Sequence, residues 1–136
     1  MSKVKVFEMP VVVEHKHLDE NQHVNNVQFL QWVQDVAKAH WEEEAKPSWL
    51  MDYVWVALSH HIEYKKPAFL NDQLTLRTYI NSFDGVKSNR VVEIYHQHSG
   101  VLVCTCRTVW VMLDRKNNKP VRCPQEMVDS FYESSE

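Results

Sequence analysis

NNVQFLQWVQDVAKAHWEEE, residues 25–44, is the stretch of this chain that carries a sustained helical period. Phe29, Leu30, Val33, Val36, Ala37, His40 and Trp41 recur at i, i+3, i+4 and i+7, which sets them on one stripe of an α-helix. Gln28, Gln31, Asp35, Lys38 and Glu42 fall off that stripe, and Pro47 supplies a stop. Trp32 reads as nearly opposite the stripe, either a lone exposed aromatic or a contact with another layer or subunit.

On both sides of this helix the pattern changes to a period of two. Residues 3–15 contain the alternating Val4 and Val6 and then a valine run, a first strand in which Pro10 marks an edge or an irregularity. Residues 53–65 alternate, with Val54, Val56, Leu58, His60, Ile62 and Tyr64 expected on one face. Pro67, Asn71 and Asp72 punctuate a turn, and residues 73–82 alternate again through Leu74, Leu76, Thr78 and Ile80. Asp84-Gly85 and Ser99-Gly100 are hairpin signals that frame a strand at 88–98 and another at 101–113. The last strand is apolar on both faces; after it, residues 114–120 turn and a short tail follows. Hairpins make neighbours antiparallel, and one long helix must cover one face of the resulting sheet. The fold class expected is α+β. The two-faced strand calls for a second copy to cover what the helix leaves, so a homodimer at least is expected.

The totals bound the function. A chain of 136 residues makes one domain, 1–136, and buries roughly two thirds of its unfolded surface. Apolar residues are 44% and charged residues 24%, and the formal net charge is -3, which gives no overall basic surface for nucleic acid. MSKVKVFEMP lacks the apolar stretch of a signal peptide, and no run is long enough for a membrane span, so no membrane partner and a cytoplasmic location are expected. Cys104, Cys106 and Cys123 fit neither a paired framework nor a zinc pattern and read as small buried hydrophobes. With Gly85 and Gly100 as its only glycines, the chain has no Gly-rich phosphate loop.

The chemistry gathers just before the helix, in HLDENQHVNN, residues 17–26. Asn25 is a good N-cap and Gln28 stands where a capping-box partner would be. The first helical N–H groups, near Asn26, Val27 and Gln28, have no intrahelical acceptor, and the macrodipole adds about half a positive charge there. Such an end can hold an oxyanion. Asp19 lies six residues ahead of the cap, near enough for the loop to return it to the helix end. On the residues alone two roles stay open: a loop-capping carboxylate, or one facing a carbonyl whose oxygen rests on those amides. His23 and Asn25 are further candidates, and His15 and His17 flank the loop. His60 and His61 are strand neighbours and so point to opposite faces. No spacing recommends a metal.

HLDENQHVNN, followed by IEYKKPAFLNDQLTLRTYI at 62–80 and RVVEIYHQHSGVLVCTCRTVWVMLD at 90–114, resembles the hotdog-fold acyl-CoA thioesterases of the 4-hydroxybenzoyl-CoA thioesterase type. The resemblance runs from about residue 3 to 125, and its first motif is similar to the fatty-acyl-CoA branch; Gln22 stands where many relatives have Gly. It implies a five-stranded antiparallel sheet wrapped around the long helix, subunits paired sheet edge to sheet edge as homodimers or homotetramers, and active sites at that seam. It implies Asp19 as the catalytic carboxylate and the backbone N–H of Asn26, with Val27 beside it, as the donor that polarises the thioester carbonyl. His23 and Asn25 are second candidates at that site: His23 either orients the loop or Asp19, or is plainly structural. The reaction implied is hydrolysis of acyl-CoA to free acid and coenzyme A, with no cofactor and no metal.

Coenzyme A carries phosphates that call for local cations. Lys87, Ser88, Asn89 and Arg90, after the Asp84-Gly85 turn, are the favoured set, with Lys65 and Lys66 a second; Arg77 and Arg107 read equally as surface charges. Phe29, Trp32, Trp49, Leu50 and Trp55 offer walls for an acyl group, though core packing explains most of them more simply. The rival functions are an acyl-carrier-protein thioesterase, a dehydratase of the same fold with His23 as its key residue, and a non-catalytic acyl-CoA-binding module.

Overall fold

The computed structural model describes residues 3–133. β1 (Phe7–Val12), a short 3₁₀ turn (His15–His17), α1 (Asn26–Glu44), α2 (Pro47–Asp52), β2 (Tyr53–Tyr64), β3 (Gln73–Asp84), β4 (Lys87–His96), β5 (Leu102–Asp114) and α3 (Gln125–Ser130) follow in that order. The strands make one antiparallel sheet in the order β1-β3-β4-β5-β2. The two hairpins fall where Asp84-Gly85 and Ser99-Gly100 put them, and Gly85 at φ 62 and Gly100 at φ 74 take the left-handed backbone those tight turns need. Pro10 sits on the edge strand β1 opposite Thr75, a position where its missing N–H interrupts no inner ladder.

Helix α1 packs on one face of this sheet, the hotdog arrangement that the sequence motifs imply. Its buried residues Phe29, Trp32, Val33, Val36, Ala37 and His40 form the stripe. The sheet meets them with Leu74, Leu76, Thr78 and Ile80 of β3, Arg90, Val92 and Ile94 of β4, and Cys104, Cys106 and Thr108 of β5. Cys104 and Cys106 share that face and are buried, as their spacing predicts. One apolar core lies under the first half of the helix. A second gathers Trp49, Ile80, Met112, Cys123, Met127 and Phe131 at its far end.

Four expectations change. Trp32 is 4% exposed, not opposite the core: it lies one turn from both Phe29 and Val36, and His17 closes over it with ring centroids 5.0 Å apart. The alternation of β2 is broken by a bulge between Ala57 and Ser59. Leu58 is the extra residue, so Val54 and Val56 do not share a face with His60, Ile62 and Tyr64. Residues 3–6 are not strand, apart from an isolated bridge between Val4 and Tyr132. The tail is not a loose end: α3 delivers Met127 and Phe131, both 0% exposed, to the second core. Burying each contributes about 1.5–3 kcal/mol, enough to hold so short a helix in place. Two of its neighbours, Trp41 and Trp49 (the latter on α2), stack with ring centroids 6.3 Å apart.

Candidate active site

Residues 19–23 form a tight turn that is closed twice. The Asp19 N–H donates to the His23 carbonyl at 2.8 Å, and the Gln22 N–H returns to the Asp19 carbonyl at 3.1 Å. Gln22 adopts φ 64, the left-handed conformation that suits glycine. The Asp19 carboxylate caps the same turn: Oδ1 accepts from the backbone N–H groups of Asn21 at 2.8 Å and His23 at 3.2 Å. No acceptor bond to Oδ2 is recorded among the described residues. Leu18 and Val24 bridge across the base of the turn, and the Asn25 N–H donates to the His17 carbonyl at 2.9 Å. The turn is thereby fixed at the mouth of α1.

The helix start is sorted residue by residue. Asn25 is the N-cap: its Oδ1 accepts from the Val27 N–H at 2.9 Å. The Gln28 and Phe29 N–H groups both turn back to the Asn25 carbonyl, at 2.8 and 3.3 Å. No side-chain bond from Gln28 to the cap is recorded among the described residues, so the capping-box variant does not form. Val27, expected as a donor, has its amide taken by the cap. Among the described residues, the Asn26 amide alone of these four is left without a recorded acceptor. The Asn26 carbonyl receives the Tyr64 hydroxyl at 3.3 Å. Sequence reasoning placed Tyr64 in a strand and missed its part here, because nothing local joins residue 64 to residue 26.

The histidines divide by burial. His23 is exposed, and its ring meets Phe69 edge-on at 5.0 Å. His17 is buried; its Nδ1 accepts from the Glu14 N–H at 2.9 Å, and burial lowers its pKa. It is a packing residue. His60 Nδ1 pairs with Thr108 Oγ1 at 2.8 Å on the helix side of the sheet, and His61 points outward to Glu63 at 3.3 Å, opposite faces as expected. His15 is exposed.

The four residues at the start of β4 do not act together. Lys87 and Asn89 lie on the outer face, with Asn89 donating to Ser82 Oγ at 2.9 Å. Ser88 and Arg90 alternate inward and are 2% and 5% exposed, so they are not presented to a phosphate at the surface. They line a cavity of about 290 Å³ between the far half of α1 and the β2 edge, walled by Trp41, Trp55 and Trp110. From Asn26 to His40, beside Arg90, the helix rises roughly 20 Å. Within one protomer this cavity is therefore at the other end of the helix from Asp19.

A family model described as the thioesterase-like superfamily matches residues 13–131. Long-chain acyl-CoA thioesterase FadM of Escherichia coli (strain K12) is 25% identical over 119 residues, which cover 86% of this chain and 90% of that protein. Among solved structures, the probable thioesterase YbaW of Escherichia coli superposes with a TM-score of 0.84 at 23% identity, over 93% of this chain and 98% of that one. A variant of 4-hydroxybenzoyl-CoA thioesterase in complex with 4-hydroxybenzoyl-CoA gives 0.84 at 14% identity, over 93% and 98%.

Proposed function

Because the chain belongs to the thioesterase-like superfamily, we propose that it hydrolyses acyl-CoA thioesters, with Asp19 as the reacting carboxylate and the Asn26 backbone N–H as the donor to the carbonyl oxygen. The observation that carries this reading is the accounting of amides at the start of α1. The cap and the first turn consume those of Val27, Gln28 and Phe29 and spare the one at Asn26. The likeness to a relative named for long-chain acyl-CoA supports the substrate class.

The substrate carbonyl rests its oxygen on the Asn26 amide, where the helix end favours negative charge. Such a donor is typically worth about 2.7–4 kcal/mol in the transition state. Asp19 Oδ1 is held by two backbone amides, which fixes the group and leaves Oδ2 for the reaction. Acting as general base, Oδ2 takes a proton from water as the water oxygen bonds to the carbonyl carbon, which is worth about 10²–10⁴ in rate. Collapse of the adduct breaks the C–S bond, and the coenzyme A thiolate leaves and is protonated. Acting instead as nucleophile, Oδ2 forms an anhydride that water opens. In single turnover in heavy-oxygen water, label in Asp19 identifies the anhydride route with water opening at the aspartyl carbon, since the general-base route leaves none there. His23 braces the turn through its backbone and its ring contact with Phe69. Lys87 and Asn89, on the outer face, are the residues left to meet the coenzyme A phosphates.

The working form proposed is a cytoplasmic homodimer, alone or within a tetramer, joined along β2. That strand is a sheet edge, and Val56, Leu58 and Tyr64 on it are 42%, 54% and 43% exposed. A two-fold axis crossing β2 near Leu58 sets Tyr53 of each copy against Tyr64 of the other. The helix start of one copy then faces the cavity beside Trp55 in the second. The test is release of free thiol from a panel of acyl-CoAs by the wild type beside Asp19→Asn. Release by the wild type and its loss in the variant are expected; equal release by both removes Asp19 from the reaction.

A further inference from the structure

Among the described residues, Arg90 is a buried cation without a counter-ion. Its Nη1 donates to His40 Nδ1 at 2.9 Å and to Thr78 Oγ1 at 3.1 Å. Both acceptors are themselves buried, at 1% and 0% exposure. Neither is negative: burial first, then Arg90 and Lys5, push the His40 imidazole down to about 3, so it accepts as a neutral ring. Among the described residues no carboxylate pairs with Arg90, and no acceptor is recorded for its Nε or Nη2. Burying a charge in this way is expensive by several kcal/mol unless something compensates it.

The cavity that Arg90 lines repeats the imbalance. Its remaining cations are Lys38 and Arg115, and among the described residues no aspartate or glutamate lines it. Trp110, another wall, has an indole Nε1 that is buried with no acceptor. The rest of the lining sets the apolar walls of Trp41, Trp55 and Ile80 beside the polar Gln34, Tyr53 and Ser88. A slot walled by tryptophan rings, with the Arg90 guanidinium in its lining, is complementary to a hydrocarbon chain that terminates in an anionic acceptor. The cavity lies beside Tyr53, Val54 and Trp55 of the open edge strand, where the proposed dimer brings the other copy's helix start.

We propose that this cavity receives the far end of the acyl group and that Arg90 selects acyl chains ending in a carboxylate, making ω-carboxyacyl-CoA the preferred substrate class. The proposal rests on the thioesterase reading above. In it Arg90 is a specificity residue; Asp19 and Asn26 do the chemistry. The guanidinium meets the distal carboxylate in a paired, charge-assisted contact, and the substrate supplies the compensation that the protein withholds. A chain ending in methyl would leave the guanidinium unpaired and fill the cavity less favourably.

The experiment compares kcat/KM for pairs of equal length: hexanoyl-CoA with adipoyl-CoA, octanoyl-CoA with suberoyl-CoA, dodecanoyl-CoA with dodecanedioyl-CoA. For the pair whose length spans the cavity, the wild type is expected to prefer the carboxylate member at least about tenfold, the worth of one hydrogen bond to a charged group. Arg90→Met should abolish or invert that preference, and Arg90→Lys should keep part of it. Arg90→Met replaces a buried charge by an apolar side chain of similar length, a change that folded proteins often tolerate. If the wild type hydrolyses the methyl-ended members as well as or better than their partners in every pair, the selectivity is overturned while the hydrolase stands. A preference that survives Arg90→Met also overturns it. If no thioester of either kind is hydrolysed, the thioesterase reading falls and takes this inference with it.

Discussion

The Tyr64 hydroxyl donates to the Asn26 carbonyl at 3.3 Å, tying the last residue of the edge strand β2 to the first residue of α1. The peptide it holds is adjacent to the amide proposed to receive the substrate carbonyl. Tyr64 also packs against Phe29, with ring centroids 5.9 Å apart. Tyr64→Phe keeps the ring and removes the hydroxyl. Because the bond is partly exposed, its loss should lower stability by no more than about 1 kcal/mol. Turnover should fall several-fold with KM little changed, as expected when a donor is less well aligned with the transition state than with the ground state. Urea unfolding and thiol-release kinetics read the two effects separately. Unchanged kcat would leave the contact purely structural.

Asp19→Asn should fold as the wild type does. The amide oxygen can still accept from Asn21 and His23, so the turn keeps both its caps. What is lost is the basic, nucleophilic oxygen, and kcat should fall by about 10²–10⁴. Thermal unfolding within a few degrees of the wild type, beside that loss, separates chemistry from folding. A melting point far below the wild type would show that the carboxylate serves the turn instead.

Asn25→Ala removes the cap from α1 and should lower stability by about 1 kcal/mol, whereas Asn25→Asp should restore it. Uncapping also frees the Val27 amide, which in the proposed reaction would compete with Asn26 for the carbonyl oxygen. The alanine variant is therefore expected to lose turnover beyond its loss of stability, and the aspartate variant to recover the stability. Denaturant midpoints for the three proteins check the first claim and thiol release the second.

Local chemistry was legible in the sequence, and long-range chemistry was not. The helix showed because its stripe repeats over five turns, and Asn25 showed because a cap acts within two residues of itself. Asp19 stood out through a motif confined to one loop. The bulge at Leu58 was hidden because Val54, Val56, His60 and Ile62 read as one unbroken alternation, and one extra residue reverses the faces without changing composition. Trp32 was misplaced because a stripe drawn through Leu30 and Trp41, both only partly buried, is centred too far round the helix. The α3 segment is too short to show a period. Arg90 and His40 lie 50 positions apart, so no spacing rule joins them. An arginine in an alternating strand reads as surface until its partners are seen.

Stability should decline with acid in a way that reports His40. Its folded pKa is pushed from 6.5 to about 3, chiefly by burial. Between those values the unfolded chain holds a proton that the folded one does not. The contribution of this group is complete above about pH 6.5 and is lost as pH falls towards 3, with a slope of at most about 1.4 kcal/mol per pH unit. Burial lowers His17 and His60 too, so they tilt stability in the same direction. Urea midpoints measured from neutral pH downward should fall for the wild type and fall less steeply for His40→Gln, which keeps an acceptor for Arg90 without the titration. Equal slopes would place the acid sensitivity elsewhere.

The edge strand supplies the last test. β2 pairs with β5 on one side only, over most of its 12 residues, and so offers a row of unpaired backbone groups along the other. The exposed Val56 and Leu58 beside that row are what a second copy would cover. Lysines are effective at blocking such an edge, because pairing would bury or oppose their charges. Val56→Lys combined with Leu58→Lys should leave the protomer folded, since neither side chain belongs to a buried core, and should convert a dimer to monomers in sedimentation. If the acyl cavity of one copy serves the helix start of the other, turnover falls with the dimer and does not return on raising substrate. A monomeric variant with full turnover would confine the working site to a single protomer and dissolve the link between Asp19 of one copy and the cavity of the other.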